Sequence, residues 1–225
     1  MKLRNVKMII CDMAGTIIQE RGIVYQVLHK SIQTFDPKVK LSDLSRFHGY
    51  PKRDVIDHFV KNAKVRDKES TVETSYDWFK QTLHKEYRTN KSVTLIHPKL
   101  PWLLDDIRSQ GIKVCLNTGY DKETKDLLID RFDLDWVIDD SISSDQVLSG
   151  RPEPYMIHKL ANRHGIKNRY HIVKIGDTYT DIMEGHNAET RTIGVLTGAD
   201  TQCVLELAKP THILNSIMDI TTLIE

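Results

Sequence analysis

From Pro98 onwards, predicted helices and strands alternate along the chain. Helices are predicted over residues 98–110, 122–132 and 152–164 and around Asp181. Short apolar runs between them predict strands over residues 113–116, 136–138, 171–175, 192–196 and 212–214. This alternation is typical of a parallel sheet whose strands are joined by crossover helices. We therefore predict an α/β fold with a Rossmann-like parallel sheet flanked by helices.

A further strand is predicted near the start of the sequence. The apolar run from Val6 to Ile10 is followed by Cys11-Asp12-Met13-Ala14-Gly15-Thr16. This pattern indicates a buried strand that ends at an acidic residue and then turns at Gly15. Open parallel sheets bind ligands beyond the carboxyl ends of their strands. Asp12 is therefore the first candidate for a catalytic residue.

The segment of residues 19–91 has helical patterning instead. Helices are predicted over residues 24–35 and 71–88, with a shorter helical piece over 41–47 and another helix beginning at Lys52. The charged run 61–70 indicates a solvated connection. Because this segment is longer than an ordinary connection, we predict a small all-helical cap domain of residues 19–91, inserted after the first strand of a core domain of residues 1–18 and 92–225.

Composition limits the choice of partner and compartment. With 225 residues, 40% of them apolar, the chain can bury the core of one domain with an insert or of two small domains. Its 32 basic and 31 acidic residues nearly cancel, so no overall field favours nucleic acid or an anionic membrane. Three scattered cysteines and the lack of a leader or membrane-spanning pattern predict a soluble, cytoplasmic protein.

Polar residues are predicted to meet at one edge of the sheet. Asp12, Thr118 and Asp177 lie at strand ends, Arg151 lies in a loop region, and Asp181 lies in the helix after Asp177. Carboxylates that converge in a crevice require a cation, and oxygen ligands suit Mg²⁺. The hydroxyl and guanidinium groups would bind phosphoryl oxygens. The pattern therefore predicts a phosphoryl-transfer site with Mg²⁺ as cofactor.

The order of these motifs resembles that of the haloacid dehalogenase superfamily. The motifs are Asp-x-x-Gly-Thr from Asp12, a strand ending at Thr118, the basic residue Arg151 before a helix, and Gly-Asp-x-x-x-Asp over residues 176–181. The resemblance implies that Asp12 is a nucleophile that becomes an aspartyl phosphate. Most members have a second aspartate two residues later, as general acid for an oxygen leaving group, whereas this chain has Ala14.

Ala14 is the feature that resembles one group of the superfamily, the phosphonoacetaldehyde hydrolases or phosphonatases, whose motif is Asp-x-Ala-Gly-Thr. This group also has arginine at the basic position, as at Arg151. Further similar segments are Thr118-Gly119-Tyr120, the run from Lys174 to Ala188, and Gly49-Tyr50-Pro51-Lys52. In the last of these, Lys52 resembles the lysine that forms a Schiff base with the substrate aldehyde.

The resemblance implies how a carbon–phosphorus bond would be cleaved. An imine on Lys52 accepts the electrons of that bond, so a general acid for an oxygen leaving group has no role. Mg²⁺ would be held by Asp12, the Ala14 carbonyl and Asp177, and Asp181 would support the metal site or position a water. The cap helices would form a homodimer contact. The implied substrate contacts are Gly119, Tyr120 and His48.

The cap departs from the phosphonatase pattern at three positions. His48, Val55 and Gly22 stand where that group has methionine, histidine and cysteine. The expected substrate is therefore phosphonoacetaldehyde or another 2-oxoalkylphosphonate. To be nucleophilic near neutral pH, Lys52 needs a lowered pKa, through burial or through cations such as His48 and Arg53.

Two other functions remain open from the sequence. The chain would be a phosphomonoesterase for a small phosphorylated metabolite if it relied on a good leaving group or on a cap residue in place of the missing acid. Alternatively, it would be a catalytically silent binding protein on the same fold. The presence of every predicted phosphoryl-transfer residue argues against the silent form; these residues are Asp12, Thr118, Arg151 and Asp177.

Overall fold

The computed structural model describes residues 2–224 of the chain. Its centre is a six-stranded sheet in which neighbouring strands are parallel. In chain order the strands are β1 (Met8–Cys11), β2 (Ile18–Gln19), β3 (Thr94–Leu95), β4 (Lys113–Thr118), β5 (Asp140–Ser143), β6 (Ile172–Gly176), β7 (Arg191–Val195) and β8 (His212–Leu214). The sheet has the order β5-β4-β1-β6-β7-β8, and β2 pairs with β3 separately. The predicted parallel sheet is confirmed.

The helices connect the strands and cover the sheet. They are α1 (Ile23–Gln33), α2 (Lys52–Asn62), α3 (Lys68–Thr89), α4 (Leu100–Ser109), α5 (Lys122–Arg131), α6 (Tyr155–Arg163), α7 (Tyr179–Asn187) and α8 (Gln202–Leu207). Short 3₁₀ helices cover Leu41–Phe47, Ser144–Gln146, Arg169–His171 and Ile217–Thr222. None of the helices within residues 2–224 is both long and apolar enough to cross a membrane.

The central strand β1 is buried on both faces of the sheet. Met8 and Ile10 pack into one apolar cluster with Met156 of α6. Ile9 and Cys11 belong to the larger cluster on the other side. Because side chains alternate along a strand, this short apolar run contributes to both layers of the core.

The position of β1 determines where ligands are expected to bind. It lies between β4 and β6, so the strand order reverses at this point of the sheet. In open α/β sheets, such a reversal opens a crevice beyond the carboxyl ends of the strands. The residues at these ends are Asp12 after β1, Thr118 at the end of β4 and Asp177 after β6.

The segment between β2 and β3 is helical, as the sequence predicts. Helix α3 buries an apolar stripe that includes Phe79, Leu83 and Tyr87. It begins at Lys68, three residues before the predicted start, because the Asp67 side chain caps the helix by accepting a hydrogen bond from the Ser70 backbone N–H at 3.0 Å. The charged connection predicted over 61–70 is therefore shorter. We call residues 19–91 the helical insert; its status as a separate domain stays a prediction.

The two chain segments that connect the helical insert to the sheet run side by side. Ile18 pairs with Leu95, and Gln19 pairs with Thr94, in an antiparallel two-residue ladder. This ladder is not predictable from the sequence, because two residues are too few for a recognisable alternation. The ladder ties the start of the insert to its end.

The strand predicted over residues 136–138 is wrong. These residues form a turn, and the edge strand β5 follows at Asp140–Ser143. In the apolar run, Val137 is fully buried, whereas Trp136 is 47% exposed. The residues that pair with β4 are mostly polar, so hydropathy indicates the turn instead of the strand. Helix α6 also begins later than predicted, at Tyr155, because residues 150–153 form a turn.

Arg131, at the end of α5, contacts the end of the helical insert. Its guanidinium donates hydrogen bonds to the backbone carbonyls of Tyr87, Asn90 and Val93, at 2.9 Å for the last two. Helix α3 ends at Thr89, where backbone carbonyls have no partner within the helix. From the sheet side, Arg131 thus supplies hydrogen-bond donors to backbone carbonyls at and just after the end of α3, the longest helix of the insert.

We expect Arg131→Met to lower the free energy of unfolding by about 2–3 kcal/mol, because carbonyls lose a charged donor while the aliphatic stem is kept. Urea denaturation measures this change. The control is Arg88→Met, at an exposed position in the last turn of α3, which should change the free energy by less than about 1 kcal/mol. Equal losses in the two variants would contradict the role given to Arg131.

Candidate active site

The aspartates predicted to bind a metal meet at the carboxyl ends of β1 and β6. Asp12, Asp177 and Asp181 each contribute a carboxylate oxygen to a group whose members all lie within 4.8 Å of one another. All three residues are buried. Asp12 and Asp177 directly follow their strands, and Asp181 lies in the first turn of α7. The predicted convergence of carboxylates is therefore present.

Joint burial changes the acidity of these carboxylates. Burial raises the pKa of Asp12, against the opposing charge of Arg151. Burial also raises the pKa of Asp177 well above its usual range, and the charges of Asp12 and Asp181 raise it further. For Asp181, burial would raise the pKa, but the charges of Arg151 and Lys174 outweigh it and lower the pKa. Such a cluster is stabilised by a further cation.

The loop after β1 holds Asp177 in place. Thr16 Oγ1 donates a hydrogen bond to Asp177 Oδ1 at 3.0 Å, and the Ala199 backbone N–H donates to Oδ2 at 2.8 Å. Gly15 has a φ of 89°, and a Cβ atom at this residue would overlap the Asp177 carboxylate. Glycine meets both requirements because it has no Cβ. The Gly15-Thr16 pair of the sequence motif therefore positions Asp177.

The donor set fits Mg²⁺, because hard divalent cations prefer carboxylate and carbonyl oxygens. Asp12 and Asp177 supply two such carboxylates. Asp181 has other contacts: its Oδ1 lies 2.8 Å from both Arg151 Nη1 and Lys174 Nζ. These contacts favour the supporting role for Asp181 over direct ligation of the metal.

Arg151 is held by its surroundings through all three guanidinium nitrogens. Nη1 donates to Asp12 Oδ1 at 2.6 Å, and Nε donates to Glu184 Oε2 at 3.0 Å. Nη2 donates to the backbone and side-chain oxygens of Asn117, both at 2.8 Å. The residue is 3% exposed. Its guanidinium is therefore fixed in orientation next to the predicted nucleophile.

Three buried polar residues next to Arg151 were not assigned to the site from the sequence, namely Asn117, Lys174 and Glu184. Lys174 Nζ donates to Asn117 Oδ1 at 2.9 Å, and Asn117 Nδ2 donates to the two carboxylate oxygens of Glu184 at 2.8 and 2.9 Å. The available signal was a polar residue inside a buried strand, at Asn117 in β4 and Lys174 in β6, since such residues need partners.

Lys52 of the helical insert lies in the same cavity as Asp12. It is the first residue of α2, it is 6% exposed, and its Nζ donates a hydrogen bond to the Tyr50 carbonyl at 2.7 Å. The cavity is lined by residues from both the sheet and the insert, namely Asp12, Ala14, Val24, Tyr25, Gly49, Lys52, Thr118, Gly119, Tyr120 and Arg151. The structure thus brings the predicted nucleophile and the predicted imine-forming lysine together.

Burial lowers the pKa of Lys52 to about 8. The charge of Asp12 opposes this shift, and the charge of Arg151 contributes to it. A neutral amine is therefore present in a substantial fraction of molecules near physiological pH. This is the lowered pKa that the sequence analysis requires of a nucleophilic lysine.

His48 does not line the Lys52 cavity. It lines a neighbouring groove, and its Nδ1 lies 2.6 Å from Asp200 Oδ1. Arg53, the other cation considered for lowering the pKa of Lys52, pairs with Glu73 at the surface. A substrate contact by His48 stays a prediction, and this geometry does not favour it.

The run Thr118-Gly119-Tyr120 forms the sheet side of the Lys52 cavity. The Tyr120 hydroxyl is 2.6 Å from the hydroxyl of Tyr87 in α3. A Cβ atom at Gly119 would lie 2.8 Å from the Gly49 carbonyl oxygen. Glycine at this position therefore permits the backbones of the sheet and the helical insert to approach closely.

Tyr25 and Glu20 surround Lys52 and were missed in the sequence analysis. The Tyr25 ring centroid lies 5.4 Å from Lys52 Nζ. Burial raises the pKa of Glu20, whose carboxylate accepts hydrogen bonds from the backbone N–H groups of Gly22 and Val24 at 3.0 and 2.6 Å. In the sequence, both residues stand at the start of a helix, where patterning does not distinguish a site residue from a cap or a packing residue.

Comparisons with known proteins support the resemblance read from the motifs. The profile of the haloacid dehalogenase-like hydrolase family matches residues 9–195. Phosphonoacetaldehyde hydrolase of Bacillus cereus (strain AH187) is 34% identical over 106 residues, which are 47% of this chain and 40% of that protein. The chain thus spans less than half the length of this curated relative.

Solved structures share the fold. A phosphonoacetaldehyde hydrolase like protein from Oleispira antarctica has a TM-score of 0.82 at 21% identity, over 98% of this chain and 92% of that chain. A predicted phosphoglycolate phosphatase from Haemophilus somnus 129pt has a TM-score of 0.80 at 18% identity, over 97% of both chains. Because the family profile covers most of the sequence, the chain belongs to the haloacid dehalogenase-like hydrolase family.

Proposed function

We propose that this hydrolase cleaves the carbon–phosphorus bond of phosphonoacetaldehyde or of a related 2-oxoalkylphosphonate. The observation that carries the proposal is the cavity shared by Asp12 and Lys52, in which burial lowers the pKa of Lys52 to about 8. Ala14 supports it, because no carboxylic acid stands two residues after Asp12 to protonate an oxygen leaving group. The similarity to a curated phosphonoacetaldehyde hydrolase points in the same direction.

The proposed reaction begins at Lys52. Its neutral amine adds to the substrate carbonyl, and uptake of one proton from solvent with loss of water gives a protonated imine. The imine carbon is bonded to the carbon that bears phosphorus. The imine therefore accepts the electron pair of the carbon–phosphorus bond, and no proton donor to a leaving oxygen is required.

Asp12 is the proposed nucleophile toward phosphorus. One of its carboxylate oxygens bonds to phosphorus while the carbon–phosphorus bond breaks, and the released electron pair converts the imine on Lys52 into an enamine. One water cleaves the aspartyl phosphate and releases phosphate. The enamine then gains a proton, and a second water hydrolyses the resulting imine to free the carbonyl product and the Lys52 amine.

Arg151 and the β4 end stabilise the phosphoryl group in this proposal. The Arg151 guanidinium orients Asp12 through its 2.6 Å contact and supplies positive charge next to the transferred group. In this proposal the Thr118 hydroxyl and the Gly119 backbone N–H donate to phosphoryl oxygens, which is supported by the presence of both residues in the lining of the cavity. Tyr120 covers Lys52 and limits its contact with water.

Mg²⁺ is the proposed cofactor. Asp12, the Ala14 carbonyl and Asp177 would hold it, and Asp181 would support them through Arg151 and Lys174. When bound, the ion would supply charge neutralisation for the phosphoryl oxygens.

The second candidate is a phosphomonoesterase for a small phosphorylated metabolite. It is favoured by fold neighbours whose names describe phosphatases, and by the partial coverage of the curated relative. In that reaction Lys52 would contact the substrate as a cation and would form no imine. A catalytically silent binding protein is less well supported, because the groups expected of a phosphoryl-transfer site lie together in the crevice. A cytoplasmic location and a homodimer through the helical insert stay predictions.

Lys52→Arg should lower phosphonoacetaldehyde cleavage by about three orders of magnitude or more, because the charge is kept but no imine forms. Phosphate release measures the rate, and borohydride reduction in the presence of substrate should label the native protein at Lys52 only. The matched control is Lys61→Arg, at an exposed position of the same helix, which should retain activity and labelling. Native cleavage without any reducible adduct would contradict the imine and favour the phosphomonoesterase.

The rate of imine trapping should depend on the protonation of Lys52. Only the neutral amine adds to a carbonyl, so the rate should rise about tenfold per pH unit below the pKa of about 8 and level off above it. Borohydride trapping at a low, fixed aldehyde concentration, measured from pH 6 to about pH 10, gives this profile. A profile that does not change near pH 8 would contradict the assignment of this pKa to the reacting amine.

Mg²⁺ should raise the melting temperature of the native protein by about 4 °C at ten times its dissociation constant, because it neutralises the buried carboxylates. Asp177→Asn should lose this stabilisation and the Mg²⁺-dependent phosphate release. Asp105→Asn, at an exposed position of α4, is the matched control and should keep both. Equal stabilisation of all three proteins by Mg²⁺ would contradict the metal site.

A further inference from the structure

A second cavity lies at the amino ends of the strands, away from the catalytic crevice. Its volume is about 710 Å³. It is bordered by the segment before β1, the segment before β6, and the first residues of β7 and β8. The charged, histidine and aromatic side chains that line it are Lys2, Arg4, Tyr170, His171, Arg191 and His212.

Arg191, the first residue of β7, is the buried cation of this cavity. It is 5% exposed. Its Nη1 donates a hydrogen bond to the Arg4 carbonyl at 2.9 Å. Its Nε and Nη2 are buried, and neither has a hydrogen-bond partner among the residues that the structure describes. A buried charged donor without a partner is costly, so this arrangement requires an explanation.

The charges around Arg191 do not supply that explanation. Within residues 2–224, no aspartate or glutamate lines the cavity, and no ion pair is formed by Arg191. Its other close contact is the Tyr170 ring, whose centroid lies 4.7 Å from the guanidinium carbon. The ring offers no oxygen or nitrogen lone pair to the guanidinium, so this contact does not satisfy Nε or Nη2 as hydrogen-bond donors.

That edge has the geometry of an oxyanion site. The Nε–H and Nη2–H groups of arginine point in parallel and match two oxygens of a carboxylate or a phosphoryl group. We propose that this cavity binds a small metabolite through a phosphoryl or carboxylate group, which accepts both hydrogen bonds from the Nε–Nη2 edge of Arg191.

The proposed site is separate from the catalytic one. Tyr170 and His171 precede β6, whereas Asp177 follows it, so five strand residues separate the two ends, a distance of about 17 Å. An anion at Arg191 therefore would not occupy the position of the substrate. The inference does not depend on the reaction assigned to Lys52.

The test is the melting temperature of the full chain with sulfate or acetate, each compared with chloride at equal ionic strength. We expect at least one of these anions to raise the melting temperature of the native protein by about 4 °C more than that of Arg191→Met at ten times its dissociation constant. Sulfate alone would indicate a phosphoryl ligand, and acetate alone a carboxylate ligand. Arg66→Met, at an exposed position outside the cavity, should respond like the native protein.

A second measurement guards against a variant that does not fold. In protein labelled with ¹⁵N-arginine, the Nε–H signal of Arg191 should shift in a saturable way with the stabilising anion. Equal stabilisation of the native protein and Arg191→Met, or an Arg191 signal that neither sulfate nor acetate moves, would overturn the proposal. In that case any anion effect would arise at the catalytic crevice or from the general action of salt.

Discussion

The contact between Arg151 and Asp12 is the interaction on which the site depends. Asp12 follows β1, Arg151 lies in the loop region after β5, and the Glu184 partner of Arg151 lies in α7, so one guanidinium joins three separate parts of the sheet edge. Removing one partner of a buried ion pair leaves the other charge uncompensated, which destabilises a fold strongly. The same bonds fix the orientation of Asp12, the proposed nucleophile. The hydrogen bonds of the Arg151 guanidinium therefore both stabilise this edge of the sheet and orient the Asp12 carboxylate.

The sequence predicts a strand of the fold best where both faces of that strand are buried. The run Met8–Cys11 is recognisable because both faces of β1 are apolar. The edge strand β5 is mostly polar, so hydropathy indicates the nearby turn at Trp136 and Val137 instead. For the site, Asp12 and Asp177 are predictable because strand ends in a parallel sheet share an edge. Tyr25 and Glu20 are not, since their positions near Lys52 depend on how separate segments of the insert pack against each other.

Two buried arginines of this chain show how differently the same group is used. Every guanidinium nitrogen of Arg151 donates to oxygens of the protein, which is typical of a structural and orienting role. Arg191 is also a buried residue, but only Nη1 of its guanidinium nitrogens has a hydrogen-bond partner within the described chain. The carboxyl ends of the strands carry several acidic groups, whereas the cavity at the amino ends is lined by basic ones.

In the proposed reaction, the burial of Lys52 links the reactivity of its amine to the contact between the helical insert and the sheet. Burial lowers its pKa, and the rings of Tyr120 from the sheet side and Tyr25 from the insert lie on either side of this buried environment, with centroids 5.7 and 5.4 Å from Nζ. If the insert moved away from β4, water would reach the amine, its pKa would return toward that of a free lysine, and the group would be a protonated, unreactive ammonium. Closure around a substrate and activation of the amine would then be one event, and an open form would be protected from reaction with unrelated aldehydes.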